Sequence, residues 1–219
     1  MPDSDELVDT AFRERLREQA ESAGLSLDLT QMGHCEHYLR LLRRWNRTIN
    51  LTALPLAGLP DRTLNRLFIE PLQAAQFVEV ALPLLWFDLG SGGGSPAIPL
   101  KIVRPMLTLR MVESRSRKAA FLREVVRSLS FTTTEVLTIR IEELARSTSA
   151  GQGDLLTIRA VRIEEGLLEA AVALLRVGGR LLLFGSKSSH PVNHGDFRVL
   201  QKLILAGGDS TLQVLSRVA

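Results

Sequence analysis

A glycine-dense turn that begins at an acidic residue has the clearest chemical meaning in this sequence. The apolar run 81–87 leads through Asp88 into Leu-Gly-Ser-Gly-Gly-Gly-Ser-Pro at 89–96, and a second apolar stretch follows. Glycine has no Cβ, so such a turn lets the backbone approach a ligand closely. A helix that begins after the turn offers unpaired N–H groups to an acidic ligand group. Strand, tight turn and helix together predict a nucleotide-type cofactor site.

The acidic residue and the spacing of the glycines favour one cofactor class over another. A dinucleotide turn requires Gly-x-Gly-x-x-Gly or Ala for its pyrophosphate, whereas Ser95 here replaces the third required glycine. Asp88 would repel a pyrophosphate and suits a cofactor with a positive amino group or sulfonium. The turn resembles motif I of the class I S-adenosylmethionine methyltransferases. This resemblance implies S-adenosyl-L-methionine as the cofactor and the following cofactor-binding residues: Asp88, Gly90, Ser91, Gly92 and Gly94.

A second acidic residue follows the next apolar run of the chain. The run 107–112 predicts a strand, and Glu113 comes directly after it. A carboxylate about 20 positions beyond such glycines, at the end of the next parallel strand, can accept hydrogen bonds from ribose hydroxyls. The alternative is a glycine turn followed by a solvated surface glutamate. The glycine turn and Glu113 have the spacing expected within one βαβ unit, which favours the ribose interpretation.

The segment 40–66 carries an excess of basic residues over acids. The formal net charge is only +3, but arginine greatly outnumbers lysine. Arginine favours planar, bidentate contacts with phosphate and stacks on bases. Between positions 40 and 66, Asp61 is the only acid among six arginines, which are Arg40, Arg43, Arg44, Arg47, Arg62 and Arg66. The segment is a candidate phosphate-binding surface, and the alternative is a solvated arginine-rich face.

Composition limits the remaining classes. The chain of 219 residues is long enough to bury a substantial core, and its single cysteine, Cys35, predicts a protein of the reducing cytoplasm without an internal disulfide. Neither a signal peptide nor a membrane span is expected. His34-Cys35-Glu36-His37 lacks a fourth ligand of clear origin, and His190 and His194 flank a proline in a loop, so we expect no metal site.

Hydrophobic periodicity predicts helices first and then alternating strands and helices. Helices are predicted at 5–23, 30–47 and 62–77, the last with a break or kink at Pro71. Strands are predicted near 84–88, 107–112, 134–139, 154–158 and 179–184, and helices near 97–103, 116–129, 142–147 and 163–175. Two further strands, Phe197–Leu205 and Thr211–Val218, predict an antiparallel edge.

The expected fold is therefore α/β: a class I, Rossmann-like S-adenosylmethionine methyltransferase with a mostly parallel, doubly wound sheet. The N-terminal helical extension is predicted to comprise residues 1–83 and to pack on the core. The S-adenosylmethionine-binding methyltransferase domain is predicted to comprise residues 84–219.

Several short sequence motifs, called words below, occur in the order found in one methyltransferase family. They are Tyr38 with Leu41-Leu42, Trp45-Asn46 with 50–53 (Asn-Leu-Thr-Ala), 88–100, 112–114 with Arg117-Lys118 and Phe121-Leu122, 140–143, and Asp154 with 159–161 (Arg-Ala-Val). By these words the chain resembles the 16S ribosomal RNA guanine-N7 methyltransferase family, also called glucose-inhibited division protein B. The combination of the Trp-Asn, Asn-Leu-Thr and Arg-Ala-Val words is more discriminating than the cofactor turn alone.

The resemblance implies methyl transfer to N7 of a guanine in 16S rRNA, with 16S rRNA or the small ribosomal subunit as partner. We expect a monomer and no association with a membrane. The resemblance adds Ser114, Ile141, Glu142 and Arg159 to the cofactor-binding residues. The predicted RNA-binding residues are Arg43, Arg44, Arg47, Arg66, Arg117 and Lys118.

The chain departs from the family pattern mainly on the side expected to face the guanine. Leu67 stands where the family has a histidine, and Glu70 stands where it has an aspartate. In the glycine turn, Ser95 occupies a position where the family has a different residue. After the fifth predicted strand, Lys187 follows Ser186 and lies two positions later than the lysine of the family. The segment 187–197 is also short for the helix expected there. An altered substrate or weakened activity therefore stays open.

The predicted reaction requires little from side chains. Guanine N7 carries an accessible lone pair and needs no deprotonation, so catalysis can depend on positioning and desolvation. Arg159, at the end of the fourth predicted strand, is the predicted catalytic residue, where it would position a phosphate or the guanine O6. Its alternative role is a helix cap or an ion pair with Asp154 or Glu164. Two other functions stay open: a methyltransferase of this fold acting on another RNA or a small molecule, and a noncatalytic RNA-binding relative.

Overall fold

Two long helices open the chain. The computed structural model describes residues 4–78, 84–147, 149–159, 165–188 and 192–219, with side chains from residue 11 onward. Helix α1 comprises Ser4–Ser22 and α2 comprises Leu29–Asn46. A capping box fixes the start of α2, because the Asp28 carboxylate accepts from the Gln31 N–H (2.8 Å) while the Gln31 side chain accepts from the Asp28 N–H (3.0 Å).

The third helical segment is irregular around Pro71, as the sequence predicts. It consists of α3 (Asp61–Leu64), a π-helical turn (Asn65–Ile69), α4 (Glu70–Ala74) and a 3-10 turn (Ala75–Phe77). Proline has no N–H to donate, and the widened turn accommodates that loss at the start of α4. The consequence is local: Arg66 lies within the π-helical turn, and Glu70 lies one turn later, at the start of α4.

A seven-stranded sheet forms the centre of the protein. Its strands are β1 (Leu85–Leu89), β2 (Thr108–Val112), β3 (Thr134–Leu137), β4 (Gly153–Arg159), β5 (Leu175–Ser186), β6 (Phe197–Ile204) and β7 (Ser210–Arg217). The order is β3-β2-β1-β4-β5-β7-β6. Strands β1 to β5 are parallel, and β7 is antiparallel to both β5 and β6. The predicted doubly wound sheet with an antiparallel edge is confirmed.

The crossover helices lie where the alternating pattern places them. They are α5 (Ala97–Val103), α6 (Ser116–Ser128), α7 (Ile141–Ala145) and α8 (Glu165–Leu174). The start predicted for the last one, at 163, lies outside the described residues. Between β5 and β6, residues 187–188 and 192–196 form turns and irregular chain without a helix.

Strand β5 begins four residues earlier than predicted. Leu175 already pairs with Gly153, and the register then shifts before Leu155 pairs with Arg180. The backbone folds closely on itself within this bulge, since a Cβ on Gly179 would lie 2.8 Å from the Arg176 carbonyl oxygen and 2.9 Å from that of Gly153. Gly178 and Gly179, which lie at the predicted start of the strand, therefore form an irregularity inside it.

Apolar side chains cover both faces of the sheet. The larger core cluster joins Trp86 of β1 to α5, α6 and the N-terminal helices, and the smaller one joins Phe87 to α7 and α8. Within the larger cluster, Phe68 packs against Phe12 and Tyr38 with ring centroids 5.4 and 5.8 Å apart. The N-terminal helices thus share a core with the sheet. The boundary predicted at 83/84 adjoins residues outside the described ranges, and the division into two parts stays a prediction.

We predict that Gly94→Ala destabilises the fold by about 2 to 4 kcal/mol, because strain and overpacking act together. The φ of Gly94 is +92°, and a Cβ there would lie 2.9 Å from Ile98 Cγ1. The matched control is Gly166→Ala in α8, where nothing lies within 4 Å of the added Cβ. Urea unfolding of both variants measures the difference, and equal midpoints would contradict the packing role.

Candidate active site

The glycine turn after β1 is held by strand β2 and packs closely against the chain at Leu51. The N–H groups of Gly90 and Ser91 both donate to the Val112 carbonyl at the end of β2, at 2.9 and 3.0 Å. Gly90, Gly92 and Gly94 all have positive φ, at +73°, +51° and +92°. A Cβ on Gly93 would lie 3.0 Å from the Leu51 carbonyl oxygen. The glycines thus satisfy backbone geometry and close packing, and the role of Gly93 was not predicted from the sequence.

An asparagine at the end of α2 arranges the chain that packs on this turn. Asn46 Oδ1 accepts from the N–H groups of Leu51 (2.9 Å) and Thr52 (3.0 Å), and its Nδ2 donates to the Thr52 carbonyl at 3.3 Å. The hydroxyl of buried Tyr38 donates to the Gly93 carbonyl at 2.6 Å. The Trp-Asn and Asn-Leu-Thr words therefore shape the wall of the glycine turn.

Two cavities meet at Gly90. One, of about 230 Å³, is the glutamate cavity, lined by Gly90, Val112, Glu113, Ser114, Ile139, Arg140, Ile141 and Glu142. The other, of about 270 Å³, is the arginine cavity, lined by Leu42, Leu51, Thr52, Leu54, Arg66, Leu67, 90–93, Ser95, Lys118 and Arg159. Eight of the ten residues predicted to bind the cofactor line these cavities. The remaining two, Asp88 and Gly94, line neither.

Glu113 connects the two cavities through its hydrogen bonds. The side chain is almost fully buried, and its two carboxylate oxygens accept from the N–H of Gly92 at 3.0 Å and of Arg115 at 2.8 Å. Each oxygen has a further lone pair, so the carboxylate can also accept from ribose hydroxyls in the glutamate cavity. A ligand that binds Glu113 in the glutamate cavity would thus contact the same side chain that holds the Gly92 N–H of the glycine turn.

Asp88 carries a buried charge that protein donors satisfy only in part. Its Oδ1 accepts from the Thr157 hydroxyl at 2.5 Å, and that hydroxyl accepts from Trp86 Nε1 at 2.9 Å. Oδ2 is buried without a hydrogen-bond partner. Burial raises the pKa of Asp88 to about 6, although the Thr157 hydrogen bond opposes the shift. A cationic ligand group at the adjoining turn would compensate this charge.

Arg159 is locked in place at the end of β4. Its Nη2 donates to Glu70 Oε2 at 3.0 Å, and its Nη1 donates to the Ser95 hydroxyl at 3.3 Å and to the Arg66 carbonyl. The guanidinium lies over the Phe184 ring, 4.2 Å from its centroid. Burial lowers the pKa of Arg159 to about 10, and Glu70 opposes this, so the side chain is charged at neutral pH.

The carboxylate partner of Arg159 differs from both that were considered from the sequence. Asp154 accepts instead from the Leu85 N–H at 2.8 Å and from Arg176 Nε at 2.6 Å. Glu164 lies outside the described residues. The partner is Glu70, which is 1% exposed and also lies 3.7 Å from Arg66 Nη1. The sequence feature that could have indicated Glu70 is the Arg-x-x-x-Glu spacing before Pro71. Hydrophobic periodicity alone does not show that this segment packs against β4.

The six side chains predicted to bind RNA occupy different surroundings. Arg66 and Lys118 line the arginine cavity. Arg43 and Arg47 line a neighbouring depression of about 380 Å³ with Asn46 and 56–58, which we call the α2-side depression. Arg117 is exposed and lines neither cavity.

Arg44 points away from its two neighbours on α2. Its guanidinium forms an ion pair with Glu124 of α6, whose other carboxylate oxygen accepts from Trp45 Nε1 at 2.8 Å. The sequence assigns Arg43, Arg44 and Arg47 together to the candidate phosphate-binding segment. The structure places only Arg43 and Arg47 on one surface, because positions four apart share a helix face.

Comparison with known proteins identifies the family. The profile of rRNA small subunit methyltransferase G (GidB) matches residues 31–202. The chain belongs to this family. It is 39% identical over 177 residues to ribosomal RNA small subunit methyltransferase G of Chloroflexus aggregans, covering 79% of this chain and 72% of that protein. It is also 39% identical over 159 residues to the protein of that name from Xanthomonas oryzae pv. oryzae, covering 72% and 70%.

Solved structures agree with the fold. An S-adenosylmethionine-dependent methyltransferase from Aquifex aeolicus superposes with a TM-score of 0.58 at 14% identity, covering 74% of this chain and 96% of that one. The P. horikoshii protein TYW2, solved in complex with MeSAdo, superposes with a TM-score of 0.52 at 12% identity, covering 67% and 61%. The predicted family, fold and S-adenosylmethionine cofactor are confirmed, and the protein is a methyltransferase rather than a noncatalytic relative.

The residues present fit this cofactor. The orphaned Asp88 Oδ2 suits its ammonium group, and the glutamate cavity suits its ribose and adenine. Within the described ranges, no group of three or more His, Cys, Asp and Glu side chains is arranged to hold a metal ion. None of the helices in those ranges has both the length and the hydropathy needed to cross a membrane.

We predict that S-adenosylmethionine affinity rises with pH through about 6, where Asp88 ionises. Binding a cation favours the charged carboxylate, so affinity should fall by up to about tenfold per pH unit below that pKa. Calorimetric titrations between pH 5 and 7.5 measure this. The isosteric variant Asp88→Asn should bind more weakly with a flat profile, and a variant as pH-dependent as wild type would contradict the assignment.

The same shift has a consequence for stability without ligand. Because the folded-state pKa of Asp88 lies above the ordinary aspartate value of 3.8, the protonated side chain is favoured in the fold, and this stability is lost as pH rises through about 6. Asp88→Asn should therefore raise the Tm of the ligand-free protein at pH 7 to 8, with the gain disappearing below pH 4.

We predict that Glu113→Ala weakens S-adenosylmethionine binding by about 1.5 to 3 kcal/mol, since a charged hydrogen-bond acceptor is lost. The variant also frees the Gly92 N–H, so affinity alone cannot identify the ribose contact. The deciding measurement is the affinity ratio between the cofactor and its 2′,3′-dideoxy analogue. That ratio should fall toward unity in the variant, and an equal ratio in both proteins would exclude a ribose contact.

Proposed function

We propose that this protein transfers the methyl group of S-adenosylmethionine to N7 of a guanine in 16S ribosomal RNA. The observation that carries the proposal is the composition of the arginine cavity. Three cations, Arg66, Lys118 and Arg159, line it directly beside the glycine turn. Among the described residues that line it, none is a carboxylate, an imidazole or a thiol. The cavity thus suits an anionic acceptor whose reacting atom needs no general base.

Guanine N7 meets these requirements. Its lone pair lies on the exposed base edge, so attack on the sulfonium methyl supplied by the cofactor requires no prior proton transfer. Phosphates on the same strand match Arg66 and Lys118. The leucine side chains that line the cavity can pack against the base and exclude water, as positioning catalysis demands.

Arg159 is proposed to orient the base. A guanidinium has five N–H donors, and the contacts with Glu70, Ser95 and the Arg66 carbonyl use three of them. A remaining Nη2 N–H can donate to the guanine O6. Since the guanidinium is held by fixed protein acceptors, the base would be oriented against a rigid donor.

A methyltransferase with a different acceptor is the second candidate, and one feature of the cavity favours it. Leu67 replaces the family's histidine and lines the arginine cavity beside Ser95. A smaller or different base could use the apolar wall that results. The position of the transferred methyl group decides between the two candidates.

The remaining aspects of the proposal follow from its substrate. We propose that the enzyme acts as a monomer on 16S rRNA, either free or within the small subunit. Ribosome assembly in bacteria takes place in the cytoplasm, so we propose a cytoplasmic enzyme.

We predict that labelled S-adenosylmethionine marks N7 of guanine when the protein is incubated with small subunits or 16S rRNA from a strain lacking the modification. Nuclease digestion followed by mass spectrometry locates the label. The chemical step should show no dependence on an enzyme base near neutral pH. Label on another base atom, or on a small metabolite instead of RNA, would reject the N7 proposal.

Arg159→Ala should lower turnover by about 100-fold or more, because the acceptor loses its orientation. Although the resemblance also implies cofactor binding by Arg159, the side chain lines the arginine cavity and not the glutamate cavity, so cofactor affinity should be retained within a few-fold. The companion variant Glu70→Gln keeps the side-chain shape and leaves Arg159 in place without its anion. It should lower kcat in the same direction by a smaller factor, and unchanged kcat in both variants would contradict the positioning role.

A further inference from the structure

A shallow depression beside the arginine cavity is not explained by cofactor binding or by methyl transfer. Its lining consists of Arg62, Ser186, Lys187, Ser188 and Asp209. We call it the β7-side depression, because Ser186 ends β5 opposite Ser210, the first residue of β7.

The β7-side depression adjoins the arginine cavity through one side chain. Arg66, which lines the cavity, donates to the Ser210 hydroxyl. Arg62 lies four residues earlier in the same helical segment, and Lys187 is bound by its N–H to the Asp209 carbonyl at 3.0 Å. The β6–β7 turn is held against this segment as well, since the Ala206 N–H donates to Gln73 Oε1 at 2.8 Å. The basic side chains are therefore presented from a fixed frame.

The α2-side depression adjoins the arginine cavity at a different wall. Asn46, which lines that depression, is hydrogen-bonded to the backbone of Thr52, which lines the cavity. Basic side chains thus line three adjoining concavities: Arg43 and Arg47 in the first, Arg66, Lys118 and Arg159 in the second, Arg62 and Lys187 in the third. Among their described lining residues, Asp209 is the only acid.

The chemistry of the β7-side depression suits a phosphate. Arg62 and Lys187 supply a planar and a compact cation, and the hydroxyls of Ser186 and Ser188 lie 2.9 Å apart. The one opposing charge, on Asp209, pairs with Arg62 at 3.4 Å, with both side chains more than 60% exposed. Such exposed pairs contribute little stability, so a phosphate can replace the aspartate as the partner of Arg62.

We propose that the β7-side depression binds a backbone phosphate of a single-stranded RNA segment whose target base enters the arginine cavity. The α2-side depression then binds the same strand on the other flank of the target. This inference rests on the proposed function and adds the course of the strand. A strand held on both flanks presents an unstacked base to the cavity between them, as single-strand recognition requires.

The test uses the full-length double variant Arg62→Gln/Lys187→Gln and unmodified 16S rRNA transcribed in vitro. Filter binding over a range of salt concentrations should show weaker RNA binding, with a log–log salt slope about 0.7 smaller per lost phosphate contact. The KM for RNA should rise while kcat and S-adenosylmethionine affinity stay near wild type.

The matched control, Arg127→Gln/Arg198→Gln, removes the same charge from exposed positions outside the three concavities. Arg198 pairs with Ser216, at the far end of β7 from Ser210. If the salt slope and KM of the double variant equal those of the control, the site is rejected.

For a second variant we expect the RNA affinity to change in the opposite direction. Asp209→Asn keeps the backbone contact with Lys187 and removes the only acid from the depression, so RNA binding should tighten if a phosphate lies there. Unchanged or weaker binding overturns the proposal.

The outcome can be separated from that of the proposed function. If wild type leaves N7 of 16S rRNA unmethylated but the double variant still loses RNA affinity relative to the control, the reaction is wrong and the phosphate site stands. If wild type methylates N7 and the variants behave like their controls, only the phosphate site is lost. If wild type neither binds nor methylates the transcript or the unmodified small subunit, both fail.

Discussion

The buried ion pair between Glu70 and Arg159 is the interaction on which the acceptor side of the site depends. The two side chains are 1% and 7% exposed and lie 3.0 Å apart. Removing two such charges from water costs several kcal/mol per ion, which their attraction regains only with good geometry and further hydrogen bonds. Arg159 has those bonds to Ser95 and to the Arg66 carbonyl. The pair therefore contributes position more than stability: it joins α4, the glycine turn and β4 at one point.

The glycine turn depends on a similar arrangement on the cofactor side. Glu113 accepts from the Gly92 N–H while facing the glutamate cavity, and Tyr38 donates to the Gly93 carbonyl from beneath. Helix α2 thus supports the glycine turn, since it carries Tyr38 and arranges Leu51 through Asn46.

The sequence predicted best where one local pattern determines one structure. The alternation of apolar runs, the glycine turn and Glu113 at the end of β2 correspond to a βαβ unit whose geometry is nearly independent of the rest. Prediction was weaker where distant segments meet. Glu70 becomes the partner of Arg159 only after the irregular turn before Pro71 packs on the sheet. Arg44 is withdrawn from its neighbours by Glu124, about 80 positions later in the chain. The start of strand β5 was predicted too late, because composition alone does not distinguish two glycines in a bulge from two glycines at the start of a strand.

The charges of the two cavities are complementary to the two partners of the proposed reaction. The glutamate cavity is lined by Glu113 and Glu142 with Arg140, and buried Asp88 precedes the adjoining turn, so the cofactor side carries the acids, while Arg66, Lys118 and Arg159 are on the acceptor side. Methylation of N7 moves a positive charge from the first side to the second. In the proposed complex, the neutral guanine accepts a hydrogen bond from Arg159 through O6, whereas the methylated base is cationic and would be repelled by the same guanidinium. Since Glu70 holds that guanidinium rigidly, it cannot move away from the new charge. The proposed arrangement that orients the substrate would thus also weaken binding of the product base, and the proposed phosphate contacts outside the cavity would hold the RNA during the reaction.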